Sequence, residues 1–192
     1  MTTFTVKFDS ILTINENQFE QICQLNPDVN FEYSSKGKLF IMSPTGGETG
    51  RKNSELIADF AVWNRKKKLG VCFDSSTCFK LPSESLRSPD VSWIKNERWQ
   101  QLTPEERKRF PPIAPDFVLE LMSPSDYIQD LKEKMLEYME NGVKLGWLIN
   151  MKNQQVEIHR QGKEVEILDS PKTLFGEDVL PEFVLDIAWI WD

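Results

Sequence analysis

Two acids stand where the chain is otherwise built for burial or for turning. Glu120 interrupts the apolar run Phe117-Val118-Leu119-Glu120-Leu121-Met122, and Asp90 follows Pro89 at the head of "SPDVSWI". A run that is apolar on both parities reads as a central strand covered on both faces. An ionised carboxylate there is costly unless it is paired or binds a cation. A salt bridge to a helix lysine and a strand end open to solvent are the ordinary explanations for Glu120. The second acid adds another. Asp90 and Glu120 are separated by 29 residues, enough for the chain to leave one strand and return beside it. Two carboxylates on neighbouring strands can share a hard divalent ion such as Mg²⁺. Such an ion activates water and stabilises charge on a phosphate. Asp116 also follows a proline, but it precedes Glu120 by ~13 Å of extended strand and reads as a strand-start residue.

The elements that carry these acids follow from hydrophobic periodicity. Residues 13–25 place Phe19, Ile22, Cys23 and Leu25 near one helical face and stop at Pro27. "NFEYSSKGKLFIMSP" reads as a hairpin about a Ser-Lys-Gly turn, ended by Pro44. The loop "TGGETG" leads into a helix over about 50–69, striped with Leu56, Ile57, Phe60, Ala61 and Trp63 and stopped by Gly70. "VCFD", "TCFKL" and "VSWI" are strands, and residues 95–112 hold one or two short helices. After the turn "SPSD", a helix over about 128–141 carries Ile128, Leu131, Met135, Tyr138 and Met139 on one side and is capped by Gly142. "KLGWLIN" is a further strand, and "QQVEIHR-QG-KEVEIL" alternates as a hairpin about Gln161-Gly162. The tail "PEFVLDIAWIWD" packs as an aromatic strand or turn. This order predicts one α/β domain over residues 1–192, a mixed central sheet flanked by helices, with additional β-hairpins. The passage 116–150 is long enough for a parallel crossover.

The succession "MSPTGGETG", "SPDVSWI", "PDFVLELMSPSD", "KMLEYMENGVKLGWLIN" and "PEFVLDI" resembles the Uma2 family, also called DUF820. That family belongs to the PD-(D/E)XK, restriction-endonuclease-like, nuclease superfamily, and the resemblance runs over residues 14–187. It implies a restriction-endonuclease-like α/β core and a Mg²⁺-dependent endonuclease that hydrolyses phosphodiester bonds in DNA, with Mn²⁺ as a substitute ion. It gives Asp90 the role of the aspartate after proline, Glu120 that of the (D/E) acid, and the Leu121 main-chain carbonyl that of a further metal ligand. The superfamily's usual lysine two residues after the acid falls on Met122, where this chain departs from the pattern. Uma2-like sequences carry a lysine on the following helix instead, and the K-x-x-x-Y spacing matches Lys134 and Tyr138. Its role there is to orient or deprotonate the attacking water, or to stabilise the pentacovalent phosphate.

Other residues compete for places in that constellation. Lys134 borders the apolar stripe beside Tyr138, and Lys132 flanks it on the other side; a snorkelling surface lysine is the ordinary reading of either. Glu55, one turn into the first long helix, is a further acid for the site or a first-turn acid favoured by the helix dipole. Glu48 has the same ambiguity, and Arg51 and Lys52 are phosphate binders or solvated charges. Met122 also supports a rival, a catalytically decayed nucleic-acid- or protein-binding module of the same fold. A third reading is a homodimeric accessory protein whose interface is Trp189 and Trp191, unless these belong to the core.

Composition narrows the classes. The 192 residues, 40% hydrophobic and 28% charged, describe an ordinary globular protein. The net charge of −7 excludes a general nucleic-acid coat, whose affinity comes from neutralised phosphates. It does not exclude an enzyme that meets DNA through a divalent ion. The basic clusters at 65–68 and 105–109 read as solvated helix ends. No segment approaches a membrane span, and "MTTFTVKFDS" lacks signal-peptide features, so the cytoplasm is the expected setting; a homodimer is the expected assembly. Cys23, Cys72 and Cys78 form no C-x-x-C pair and read as free thiols, Cys72 and Cys78 buried in or near strands. His159, the single histidine, has no partner at zinc-ligand spacing.

Overall fold

A computed structural model of the chain describes residues 4–8, 12–42 and 44–191. Ser43 of "MSPTGGETG" and the extreme ends of the expected 1–192 domain lie outside them. In chain order the elements are β1 (Phe4–Lys7), α1 (Glu16–Leu25), β2 (Asn30–Tyr33), β3 (Lys38–Met42), α2 (Gly47–Lys67), β4 (Gly70–Asp74), β5 (Phe79–Lys80) and β6 (Leu86–Arg87). They continue with β7 (Val91–Lys95), α3 (Asn96–Trp99), α4 (Pro104–Lys108), β8 (Phe117–Met122), α5 (Ile128–Glu140), β9 (Leu145–Asn150), β10 (Gln155–Arg160), β11 (Glu166–Asp169), β12 (Thr173–Phe175) and β13 (Val184–Asp186). A 3-10 turn over Ala188–Trp191 follows.

The centre is a six-stranded sheet in the order β11-β10-β9-β8-β7-β4. It is mixed because α5 crosses over from β8 to the parallel β9, whereas the other pairs are antiparallel. β8 and β9 are buried at every residue, as the double-faced apolar runs require. One face packs Phe117, Leu119, Trp147 and Ile149 against Leu56, Phe60 and Trp63 of α2 and Phe183 and Leu185 near the C-terminus. The other packs Val118 and Leu148 against Met135 and Tyr138 of α5. A fully buried side chain such as Phe60 contributes roughly 1.5–3 kcal/mol. Glu120 lies on the α5 face, between apolar neighbours of the same parity.

The hairpin expected about Gln161-Gly162 is β10–β11 at the edge of the central sheet, and the hairpin expected over 30–44 is β2–β3 of a second sheet. β1-β3-β2-β6-β5 is a five-stranded sheet that leans on α5, and β12-β13 is a small ribbon. Lys38 of β3 donates to Glu133 of α5 at 2.8 Å, and Ser35 of the β2–β3 turn donates its N–H to Glu137 at 2.7 Å. These contacts carry β2, and with it Glu32, to the edge of the central sheet.

Two local readings are corrected. β1 has no counterpart in the reading above, because all four of its residues are exposed and no buried parity marks it. α2 starts at Gly47 and ends at Lys67, and Lys68, with φ of 57°, takes the left-handed cap instead of Gly70. Gly70 starts β4, where a Cβ would lie 2.3 Å from the Ile94 carbonyl. The tail holds its tryptophans against the core: Trp191 Nε1 donates to the Pro171 carbonyl and Trp189 Nε1 to that of Asp186, each at 2.9 Å. Cys23, Cys72 and Cys78 are free thiols of intermediate exposure.

Candidate active site

A cleft of about 140 Å³ opens where β2, β8, the chain before β7 and the first turns of α2 and α5 converge. The β7–β8 register brings the two acids to it. Val91 stands opposite Leu119, so one further step sets Asp90 across from Glu120, where facing Cβ atoms are about 4.5–5.5 Å apart. The ladder ends at that step. Pro89 offers no N–H, and Asp90 Oδ2 accepts the Leu121 N–H at 2.8 Å in place of a backbone carbonyl. Asp90 Oδ1 accepts the Asn53 amide of α2 at 3.2 Å. In an extended strand the N–H and C=O of one residue leave on the same edge. The Leu121 carbonyl therefore also leaves toward the β7 side, and Leu121 lines the cleft.

Glu120 is held by α5. Its Oε1 accepts Lys134 Nζ at 2.8 Å and the Tyr138 hydroxyl at 2.9 Å. Lys134 and Tyr138 are one helical turn apart and so share a face. Lys134 also donates to Glu32 Oε1 at 2.8 Å and to the Ser88 carbonyl at 3.3 Å. It is only 7% exposed, so it is a cleft residue and not a snorkelling one.

The charges are strained by this crowding. Burial pushes the Asp90 carboxyl up to about 6, against the Leu121 N–H and Lys134, and Asp126 and Glu32 push it further. Burial likewise raises Glu120, to about 8, with Asp90 and Glu32 adding to the rise and Lys134 opposing it. Burial alone would lower Lys134, but Glu120 and Glu32 outweigh it and hold the amine above its ordinary range, as an ammonium. Tyr138 is raised by burial, Glu120 and Glu32 and remains a neutral donor.

Of the residues singled out in the sequence, Asp90, Glu120, Leu121, Lys134 and Tyr138 meet in one place. Lys132 does not. Two positions from Lys134 on a helix is a rotation of about 200°, and Lys132 pairs instead with Glu157 of β10 at 2.7 Å, beside His159. Glu55 is exposed on the outer side of α2, and Asn53 and Thr49, one turn apart, are the α2 residues that line the cleft. Glu48 is exposed and pairs with Arg51. Lys52 is buried and donates to the Ile190 carbonyl at 2.7 Å, so it is a structural lysine. Asp116 stands at the far end of β8, tied to Lys144 at 2.8 Å, to Arg98 at 3.1 Å and to the Lys95 N–H at 2.9 Å.

Glu32, Arg87 and Glu137 belong to the cleft network and were missed. Arg87 bridges Glu32 and Glu137 at 3.1 and 2.5 Å. Glu32 sits within "NFEY" as Glu120 sits within "FVLELM", an acid between strand apolars. The same signal was present for both.

The residues fit a hard divalent ion. Two carboxylates share a pocket wall, burial pushes both toward protonation, and Asn53 Oδ1 beside them is buried without a hydrogen-bond partner. Among the described residues no cluster of three or more His, Cys, Asp or Glu side chains is placed to hold a metal. Mg²⁺ keeps waters and binds through one or two protein carboxylates plus substrate phosphate, and Asp90 and Glu120 are two carboxylates lining the cleft.

The fold is shared with a solved structure described as "a putative nuclease belonging to DUF820" from Anabaena variabilis ATCC 29413. The TM-score is 0.76 over 93% of this chain and 98% of that one, at 22% sequence identity. No match was found among curated proteins. The model of the Uma2 family, described as "Putative restriction endonuclease", matches residues 17–188, a span that includes every residue of the cleft network. The chain belongs to the Uma2 family.

Proposed function

We propose that the protein is a divalent-metal-dependent endonuclease acting on phosphodiester bonds in DNA. One observation carries the reading: Lys134 Nζ lies 2.8 Å from Glu120 Oε1, on the acid that the strand register sets across from Asp90. The helix lysine thereby supplies the ammonium that Met122 cannot. Asp90, Glu120 and the Leu121 carbonyl are the groups that would hold Mg²⁺, with Mn²⁺ as its substitute. Bound there, the ion supplies an acidified water and a counter-charge for the phosphate.

The chain's own groups do the rest. Lys134, held as an ammonium, donates; it orients the attacking water or stabilises the charge on the pentacovalent phosphate. Deprotonating the water is not its part, because an ammonium has no lone pair to offer. Tyr138 fixes the Glu120 carboxylate in one orientation through its hydroxyl. Asn53 does the same for Asp90. The cleft makes catalysis conditional on a divalent ion, since two cations, Arg87 and Lys134, stand among four acids, Glu32, Asp90, Glu120 and Glu137, before the phosphate arrives.

The test is Mg²⁺-dependent cleavage of plasmid and single-stranded DNA by wild type, Asp90→Ala and Glu120→Ala. The reading predicts cleavage by wild type and a loss of more than about 100-fold in each variant. Equal activity in all three would place the chemistry elsewhere. DNA binding without turnover, together with weak Mg²⁺ and Mn²⁺ affinity, would establish the binding-module alternative.

A further inference from the structure

Glu32 reaches the cleft from a different sheet, and its place is fixed without help from Lys134. Its Oε2 accepts Arg87 at 3.1 Å and its Oε1 accepts the Ser88 N–H at 2.9 Å. Arg87 is held in turn by Glu137 and lies 4.9 Å over the Phe40 ring. The ion pair of Glu32 with Arg87 is complete by itself. Yet Glu32 Oε1 also takes Lys134 Nζ at 2.8 Å, equal to the distance from that nitrogen to Glu120.

A divalent ion and the Lys134 ammonium both need Glu120, and they repel each other. Once the ion engages Glu120, Lys134 keeps only Glu32 and the Ser88 carbonyl, at 3.3 Å, as hydrogen-bond partners in the cleft. From this geometry we infer that Glu32 is a positioning residue. It keeps the Lys134 ammonium in the cleft while Glu120 is engaged by the ion, so that cation and ammonium act on one phosphate. The inference rests on the metal-dependent reading of the site and adds to it how the two positive charges coexist. Glu32 touches neither substrate nor ion in this role.

The experiment uses the full chain and Glu32→Gln, which keeps the shape and removes the charge; its single oxygen can accept from Ser88 or from Arg87 but not from both. The first readout is the ¹⁵N-resolved ammonium signal of Lys134, identified by its absence in Lys134→Met, with and without saturating Mg²⁺. Wild type is expected to keep a protected signal in both conditions, and Glu32→Gln to lose it when Mg²⁺ is added. The second readout is kinetic: kcat falls about 10–100-fold, the range for loss of a supporting partner, while KM for DNA and calorimetric Mg²⁺ affinity stay within about threefold of wild type. A wild-type signal lost on adding Mg²⁺ overturns the inference, and this arm needs no variant to fold. So do wild-type kcat in Glu32→Gln and a Mg²⁺ affinity weakened more than about 100-fold, beyond the range for a supporting partner. A wild type that binds Mg²⁺ but releases Lys134 sinks the positioning role alone, whereas one that binds no Mg²⁺ sinks the metal-dependent reading with it.

Discussion

Asp90 Oδ2 accepts the Leu121 N–H at 2.8 Å, so a side chain ends the β7–β8 ladder where a carbonyl would have continued it. The bond joins structure and chemistry in one residue. Asp90→Ala would leave a backbone N–H without its acceptor, at about 1–3 kcal/mol, and so mixes loss of fold with loss of function. Asp90→Asn keeps an acceptor oxygen at the same place. It is expected to melt at or above the wild-type temperature and to lose more than about 100-fold in cleavage, measured by thermal unfolding and plasmid nicking.

The raised acids set a pH dependence. Asp90 goes from its ordinary 3.8 to about 6 on folding. A group raised in this way contributes stability that is full below 3.8 and is lost as pH rises through about 6. Wild type should therefore lose stability relative to Asp90→Asn between these values, by roughly 2 kcal/mol after allowing for the open side of the cleft. Saturating Mg²⁺ should restore it. Thermal melts of both proteins from pH 4 to 8 check this; a constant difference across that range would contradict it.

Met122 is the place to relocate the lysine. It shares the strand parity of Glu120, about 6–7 Å along β8. Lys134→Ala should reduce cleavage about 100-fold or more, and Met122→Lys in that background should recover at least a tenth of wild-type activity, roughly the share that repositioned charge can replace. No recovery would mean that the α5 side of Glu120 is required for the ammonium.

Lys132 and Glu55 separate position from type. Both have the residue type that the chemistry would use, and neither reaches the cleft. Lys132→Ala and Glu55→Ala are each expected to stay within about twofold of wild-type cleavage, because surface changes away from a site cost little. A loss as large as that of Lys134→Ala would contradict the geometry.

Asp116 is predicted to matter for folding and not for the ion. It is 1% exposed and partnered by Lys144, Arg98 and the Lys95 N–H. Asp116→Ala should cost about 3–5 kcal/mol, as removal of one member of a buried ion pair does, read by urea unfolding. Calorimetric Mg²⁺ affinity of the protein that remains folded should match wild type.

The sequence made the central strands legible because burial on both faces leaves a continuous apolar run, as in 117–122 and 145–150. It also made Glu120 conspicuous, since an acid in such a run needs a reason. Lys134 and Tyr138 were legible through helical spacing. What escaped depends on long-range placement. β2 and β8 belong to different sheets, so nothing local to "NFEY" says that Glu32 faces Lys134 across the cleft. The choice between Lys132 and Lys134 turned on which side of α5 the five-stranded sheet leans against. For Glu55 and Asn53, the α2 stripe was right, but the rotation that aims Asn53 at Asp90 is set by packing beneath Leu56 and Phe60.

The most direct measurement is anomalous diffraction from crystals of the full chain soaked in Mn²⁺. The account predicts one peak between the Asp90 and Glu120 carboxylates, within about 2.6 Å of an oxygen from each, with Lys134 still in the cleft. A peak at another group of residues, or none at Mn²⁺ concentrations that support cleavage, would contradict it.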